Sequence, residues 1–114
     1  MDRQTQEACE RVGKALPKGA FLTEPFNWSI SGPAWDVTVG ISEADFLTLN
    51  LPAWLFKKNT DCWQLATEKR PLPNGNVKLA SAMAPSIELA YIRLLGKLDV
   101  LNIAIANLAE DNQN

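Results

Sequence analysis

The chain has 114 residues and a mass of 12.6 kDa, which predicts a single domain over residues 1–114. Its formal net charge is −2, which disfavours a strongly basic nucleic-acid or membrane-surface binder. It contains no histidine, which excludes Ser-His-Asp and Cys-His catalysis and histidine-ligated metals.

The first segment predicts a helix. Ala8, Val12 and Leu16 lie on one apolar stripe, and Asp2 or Thr5 can serve as the N-cap. Pro17 and the glycine that follows it are typical of a helix end.

The N-terminus and the cysteines together predict a cytoplasmic protein. The residues before Ala8 are polar and lack the apolar region of a signal peptide, and no uncharged stretch is long enough to span a bilayer. Cys9 and Cys62 have neither the spacing of a zinc knuckle nor that of a CxxC motif. We therefore expect reduced thiols and no membrane contact.

Two strands with one apolar face each are predicted next. Apolar and polar residues alternate over residues 26–31 and again, after a short turn, over residues 35–41. This pattern predicts an antiparallel hairpin with one face in the core. We expect Phe26 and Trp28 to be buried, and Trp28 to lie opposite Trp35.

The middle of the chain predicts further strands. Residues 42–45 are typical of a turn or of the start of a short helix, after which alternating Leu47, Leu49 and Leu51 favour a strand.

Residues 62–69 and 76–83 predict a second hairpin, since Asn74-Gly75 between them readily adopts positive φ.

The last third predicts a long helix. Apolar residues from Ile87 to Leu108 recur at alternating spacings of four and three, which forms a heptad-like seam. A continuous helix over residues 85–109 would be about 37 Å long, against a diameter of about 26 Å for a compact domain of this size. Either the helix breaks at Gly96, or it projects and pairs with a second subunit.

The apolar run at the end of the chain favours pairing, and we expect a homodimer. The residues expected to form its contact are Leu98, Leu101, Ile105 and Leu108.

The order of elements predicts an α+β fold, in which an N-terminal helix and a long C-terminal helix cover an antiparallel sheet of about four to five strands. The residues expected in the core are Phe26, Trp28, Trp35, Val37, Val39, Trp63, Leu65, Tyr91, Leu94 and Leu98.

The C-terminal third carries a pattern that can be compared with a known type of protein. A tryptophan-bearing strand at Trp63 is followed by the Asn74-Gly75 turn, a strand of small residues from Val77 to Ala82, Pro85, and an Ala/Leu-rich helix from Leu89. This pattern resembles small phage and prophage proteins of the phage ABA sandwich type. The resemblance implies a helix–sheet–helix fold and a mobile-element origin, but it carries over no catalytic residue and no ligand.

No arrangement of residues predicts catalysis or a cofactor. Asp36, Glu43 and Asp45 could hold a divalent cation through oxygen ligands, but they lack the spacing of an EF-hand and are expected to be solvated. The glycines form no phosphate-binding motif. We therefore expect a protein that is not an enzyme and has no cofactor or metal.

One aromatic and basic segment predicts partner binding. Trp54 lies in a stretch without a clear period and is followed by Phe56, Lys57 and Lys58. An exposed tryptophan is a candidate hot spot for a protein partner, so we assign these residues to a partner surface. The leading hypothesis is a non-enzymatic, phage-encoded inhibitor that binds a host defence protein stoichiometrically.

Two alternatives stay open. Aromatic residues beside cations can also stack bases and neutralise phosphates, which leaves a nucleic-acid-binding accessory protein. The other alternative is a small enzyme without histidine chemistry.

Overall fold

The structure, a computed structural model, describes residues 2–28, 32, 34–49 and 77–113. The helices in this part of the chain are α1 (Arg3–Ala15), α2 (Glu43–Thr48) and α3 (Ile87–Gln113), and the strands are β1 (Phe21–Leu22), β2 (Phe26–Asn27), β3 (Trp35–Ile41) and β4 (Val77–Ala84). An N-terminal helix, an antiparallel sheet of four strands and a long C-terminal helix make an α+β fold, which confirms the predicted class.

Helix α1 begins at a side-chain cap. The carboxylate of Asp2 accepts a hydrogen bond from the backbone N–H of Thr5 at 2.8 Å, which satisfies one of the free donors of the first turn. The same bond lowers the pKa of Asp2 below its usual value. After the helix, Gly19 turns the chain with a φ of 86° and allows β1 to begin.

Strand β3 lies in the centre of the sheet. β1 and β2 both pair with it in antiparallel fashion along one side, through Leu22 opposite Val39 and Phe26 opposite Asp36. β4 pairs along the other side over almost its whole length. A bulge between Val39 and Gly40 shifts the register there.

The core lies between the sheet and the helices. α1 packs along α3, and α3 packs against β3 and β4. The predicted core residues Val37, Val39, Tyr91, Leu94 and Leu98 are all buried, which confirms these five. The remaining buried hydrophobic residues are Ala8, Val12, Ile41, Leu79, Ala80, Ala82, Ala84, Ala90 and Leu101.

Helix α3 is continuous through Gly96, so of the two alternatives that the sequence left open, the break at this residue does not occur. Ser86 begins it, because its hydroxyl accepts from the backbone N–H of Leu89. The molecule accommodates the helix because it is elongated, with extents of 48 × 27 × 24 Å. The diameter of about 26 Å used above holds only for a spherical domain. Helix α1 packs beside α3 and covers part of its extra length.

The strand predicted at Leu47, Leu49 and Leu51 is wrong over its described part. Residues Glu43–Thr48 form α2, whose N-cap Ser42 accepts from the backbone N–H of Asp45 at 3.1 Å. The cap satisfies a first-turn donor, so the helical alternative at residues 42–45 prevails over the alternation of leucines.

The two predicted hairpins have different outcomes. The first is present as β2 and β3, although β2 is shorter than predicted. In the second, the later strand is present as β4, while residues 62–69, including Trp63 and Leu65, lie outside the described residues.

The predicted burial of Phe26 and Trp28 is wrong, because the register turns their side chains to the outer face of the sheet. Residues opposite each other in a sheet share a face, so Phe26 lies on the side of Asp36, and Trp28 lies on that side too. Trp35 is half-buried on the opposite face, where it lies across from Asn27 instead of Trp28.

Candidate protein-binding surface

The outer face of the sheet carries a row of side chains from three neighbouring strands. Phe26 of β2 and Met83 of β4 both lie opposite Asp36 of β3. Trp28 lies two residues beyond Phe26 and thus on the same face, and its backbone N–H donates to the carbonyl of Ala34. We call Phe26, Trp28, Asp36 and Met83 the aromatic patch.

Hydrogen bonds fix the centre of the aromatic patch. The indole Nε1 of Trp28 donates to Oδ2 of Asp36 at 3.2 Å. The hydroxyl of Thr38 donates to the other carboxylate oxygen, also at 3.2 Å. Asp36 is therefore held from two sides and fixes the orientation of the indole ring.

The two aromatic rings of the patch also contact each other. The ring centroids of Phe26 and Trp28 are 4.9 Å apart at an interplanar angle of 73°, which is an edge-to-face arrangement. Such pairs contribute about 0.5–1.5 kcal/mol beyond the burial of their area. The rings thus hold a defined position although little else covers them.

The apolar members of the patch are open to solvent. Phe26 is 57% exposed, and Trp28 and Met83 are each 48% exposed. Large, rigid aromatic side chains that are already oriented lose little conformational entropy when a partner covers them. This combination of exposure and order is what a protein-binding surface requires.

A second set of exposed apolar side chains lies on the outer side of α3. Ile92, Val100 and Ile103 are 51%, 48% and 62% exposed, and their spacing places them on one side of the helix. No hydrogen bond or ring contact fixes them, in contrast to the aromatic patch.

The partner residues predicted from the sequence cannot be placed on this surface. Trp54, Phe56, Lys57 and Lys58 all lie outside the described residues, and their role stays a prediction.

The residues predicted for self-association lie mostly inside one chain. Leu98 and Leu101 are buried, because this side of α3 faces the core, and Ile105 is half-buried against it. Leu108 belongs to α3, but its side chain lies outside the described part. The large apolar residues of α3 that are exposed in the described range are instead Ile92, Val100 and Ile103.

Sequence reasoning missed the aromatic patch because it placed Phe26 and Trp28 in the core. The available signal was Asp36, a carboxylate near the start of β3. Once Phe26 is paired opposite Asp36, Phe26 and Trp28, two residues further on, have to share the face of that carboxylate.

Tyr91 is a polar residue in the core. It is buried, and burial together with the hydrogen bond that its hydroxyl donates to the side chain of Cys9 raises the pKa of that hydroxyl well above the usual range. Cys9 is a free thiol. Among the described residues, no three acidic or cysteine side chains are grouped as a metal site would need, and Asp36, Glu43 and Asp45 do not form one.

Comparison of the chain with protein-family models, curated proteins and solved structures gives no match. None of the helices in the described ranges is both long enough and apolar enough to cross a membrane.

Proposed function

We propose that this protein is a non-enzymatic binding protein that acts by stoichiometric contact with another protein, and that the aromatic patch is its contact surface. The observation that carries the proposal is the fixed orientation of the exposed Trp28 by Asp36. Tryptophan is enriched among the residues that dominate binding energy, and Trp28 presents its ring without needing to reorganise.

The charge of the patch favours a protein partner over a nucleic acid. The only charged side chain of the aromatic patch is Asp36, which is acidic and would repel phosphates. The net charge of −2 acts in the same direction.

Affinity capture with a matched pair of variants tests this function. Trp28→Ala removes the centre of the aromatic patch, whereas Leu47→Ala removes an exposed apolar side chain on α2 that belongs neither to the patch nor to the apolar side of α3. We expect the parent protein and Leu47→Ala to retain one stoichiometric partner from a host lysate, and Trp28→Ala to lose it while staying folded. Trp54→Ala in parallel tests the segment predicted from the sequence.

Three results would overturn the proposal. The first is a folded Trp28→Ala protein that captures the partner as well as the parent does. The second is capture of nucleic acid that disappears as salt is raised, which is the signature of the alternative function. The third is that no partner is retained at all.

The biological setting follows from the resemblance of the C-terminal third to small phage proteins. A phage-encoded protein that binds one host protein stoichiometrically acts as an inhibitor, and a host defence protein is the target class that we propose. Such a protein works in the cytoplasm. Binding and inhibition of one captured host protein in a purified assay would test this step separately from the surface itself.

Self-association through α3 is part of the same proposal. Ile92, Val100 and Ile103 form an apolar side of the helix, and a second copy could cover it by two-fold pairing. This face is separate from the aromatic patch, so a homodimer would leave two patches for partners.

A further inference from the structure

The pairing of β3 shows which backbone N–H and C=O groups of β4 point away from β3, towards the open edge of the sheet. The carbonyls of Ala34 and Thr38 accept hydrogen bonds from the backbone N–H groups of Trp28 and Thr23. The backbone N–H and C=O groups of alternate residues of β3 therefore point towards β1 and β2. In an antiparallel sheet, the residues opposite these point away from β3. Ser81 lies opposite Thr38 and Met83 lies opposite Asp36, so both direct their N–H and C=O groups to the far side of β4.

Two cations from α3 contact this far side, which we call the β4 edge. The Nζ of Lys97 donates to the carbonyl of Ser81 at 2.6 Å, and Nη1 of Arg93 donates to the carbonyl of Met83 at 2.7 Å. Within the described ranges, neither cation has an acidic partner, and the N–H groups of Ser81 and Met83 have no acceptor.

The β4 edge is therefore rich in donors and in positive charge. The N–H groups of Ser81 and Met83, which have no acceptor within the described ranges, can donate to the carbonyls of an added strand, which is how an extended peptide extends a sheet. A carboxylate is a stronger acceptor for Arg93 and Lys97 than the neutral carbonyls that they contact now. Moving these side chains to carboxylates would free the two carbonyls for the N–H groups of the added strand.

The spacing of the two cations matches an extended strand. Arg93 and Lys97 are four residues apart on a helix, or about 6 Å along its axis. Side chains two residues apart in a strand are about 6.6–6.8 Å apart on one face. Because α3 covers the inner face of the sheet, the acidic side chains would lie on that face, and the residue between them would lie on the outer face beside Met83.

We infer that the β4 edge binds an extended segment of a partner protein in which acidic side chains alternate with apolar ones. The inference rests on the proposed function and names the chemistry of the partner. The acidic side chains pair with Arg93 and Lys97, and the apolar side chain between them packs beside Met83 at the border of the aromatic patch.

A pair of short synthetic peptides tests this inference. One alternates Glu with Val, and the other alternates Lys with Val. We expect the Glu peptide to bind and to slow amide hydrogen exchange at Ser81 and Met83, while the Lys peptide leaves both amides unchanged. Equal binding of the two peptides, or binding of neither, would overturn the inference.

Exchange in the protein alone tests whether something else occupies the β4 edge. We expect the amides of Ser81 and Met83 to exchange much faster than those of Val37 and Val39, which face β4 from the central strand. Strong protection at every protein concentration would mean that the chain itself covers the edge, as the predicted pairing of residues 62–69 with 76–83 would. Protection that grows with concentration would mean that a second copy does. Either result contradicts the inference.

Charge-neutral variants test the role of the cations. Arg93→Gln and Lys97→Gln retain a donor for the β4 carbonyls but remove the charge, and each should weaken binding of the Glu peptide about tenfold. Lys14→Gln and Lys18→Gln remove two exposed cations elsewhere and should have no effect. Unchanged peptide binding in folded Arg93→Gln and Lys97→Gln proteins would refute charge recognition.

The capture experiment separates this inference from the proposed function. If the Glu peptide fails to bind but Trp28→Ala still abolishes capture of the partner, the inference about the β4 edge is wrong and the proposed binding function stands. If Trp28→Ala has no effect on capture, the proposed function itself fails.

Discussion

Asp36 belongs both to the central strand of the sheet and to the candidate binding surface on its outer face. Its backbone belongs to the central strand, whose alternate residues build the core, while its carboxylate accepts from Trp28 and Thr38 on the outer face. The hydrogen bond to Asp36 and the edge-to-face contact with Phe26 both favour the observed orientation of the Trp28 ring.

The single tyrosine provides a pH-dependent test of the core. Burial raises the pKa of Tyr91, so the folded state holds the phenolic proton more tightly than the unfolded chain does. The stabilisation is complete below about pH 10, the pKa of an unfolded tyrosine, and is lost as the pH rises further. We expect tyrosinate absorbance to appear only together with unfolding, which circular dichroism would follow.

Tyr91→Phe is the control for this titration. It should abolish the absorbance change, since the chain has no other tyrosine, and should make stability less dependent on pH above 10. Tyrosinate absorbance with a midpoint near pH 10 in a protein that is still folded would contradict the burial of Tyr91.

Leu94 tests the packing of α3 on the sheet. It is fully buried, so Leu94→Ala should lower the free energy of unfolding by about 2–5 kcal/mol, as deletions of buried leucine side chains do. Ile92→Ala, two residues away on the exposed side, should change it far less. Denaturant unfolding measures both, and similar losses for the two variants would show that the faces of α3 are wrongly assigned.

At the scale of elements, the alternation of apolar and polar residues predicted where the strands occur more reliably than it predicted which side of each strand faces the core. The apolar residues of β3 face the core as expected, but those of β2 face outwards, because alternation within a strand does not fix its register against a neighbour. The bulge at Val39 and Gly40 has the same effect on β4. It leaves both Leu79 and Ala80 buried, where strict alternation would expose one of them.

The helices were predicted from stronger signals. The cap at Asp2 and the long seam of α3 both specify local structure directly, so α1 and α3 occur where the sequence placed them. The start of α2 was one of two alternatives at residues 42–45, but Leu47, Leu49 and Leu51 alternate like a strand, and the Ser42 cap decides for the helix. The aromatic patch could not be predicted, since it is created by the register of three strands.

Replacing two of the glycines by alanine should change the stability of the protein in opposite directions. Gly96 lies in the middle of α3, and a Cβ there would meet nothing within 4 Å. Gly96→Ala should therefore stabilise the protein by about 1 kcal/mol. Gly19 has a φ of 86°, and a Cβ there would lie 2.7 Å from the Asp45 carboxylate, so Gly19→Ala should destabilise it. Thermal unfolding would distinguish them, and a loss of stability in Gly96→Ala would contradict a straight, open helix.

At the scale of the whole molecule, two surfaces lie on different sides of one small core. The aromatic patch lies on the face of the sheet that points away from α3. The apolar side of α3 points away from the core, which lies between α3, α1 and the sheet.

Light scattering tests self-association at this scale. We expect a mass of about twice the 12.6 kDa of one chain. Ile103→Asp should give folded monomers, because it places a charge in the apolar contact. Leu47→Asp places the same charge on an exposed apolar residue of α2, outside α3, and as the control should leave a dimer. A monomeric parent protein at micromolar concentration would contradict pairing through α3.

The most direct test of the central claim is the mass of the complex recovered from a host lysate, measured by native mass spectrometry. We expect a complex of this chain with one other protein in a fixed ratio, retained in the Leu47→Ala variant and absent from folded Trp28→Ala protein. An identical complex in the Trp28→Ala variant, or recovery of the chain without any protein partner, would contradict it.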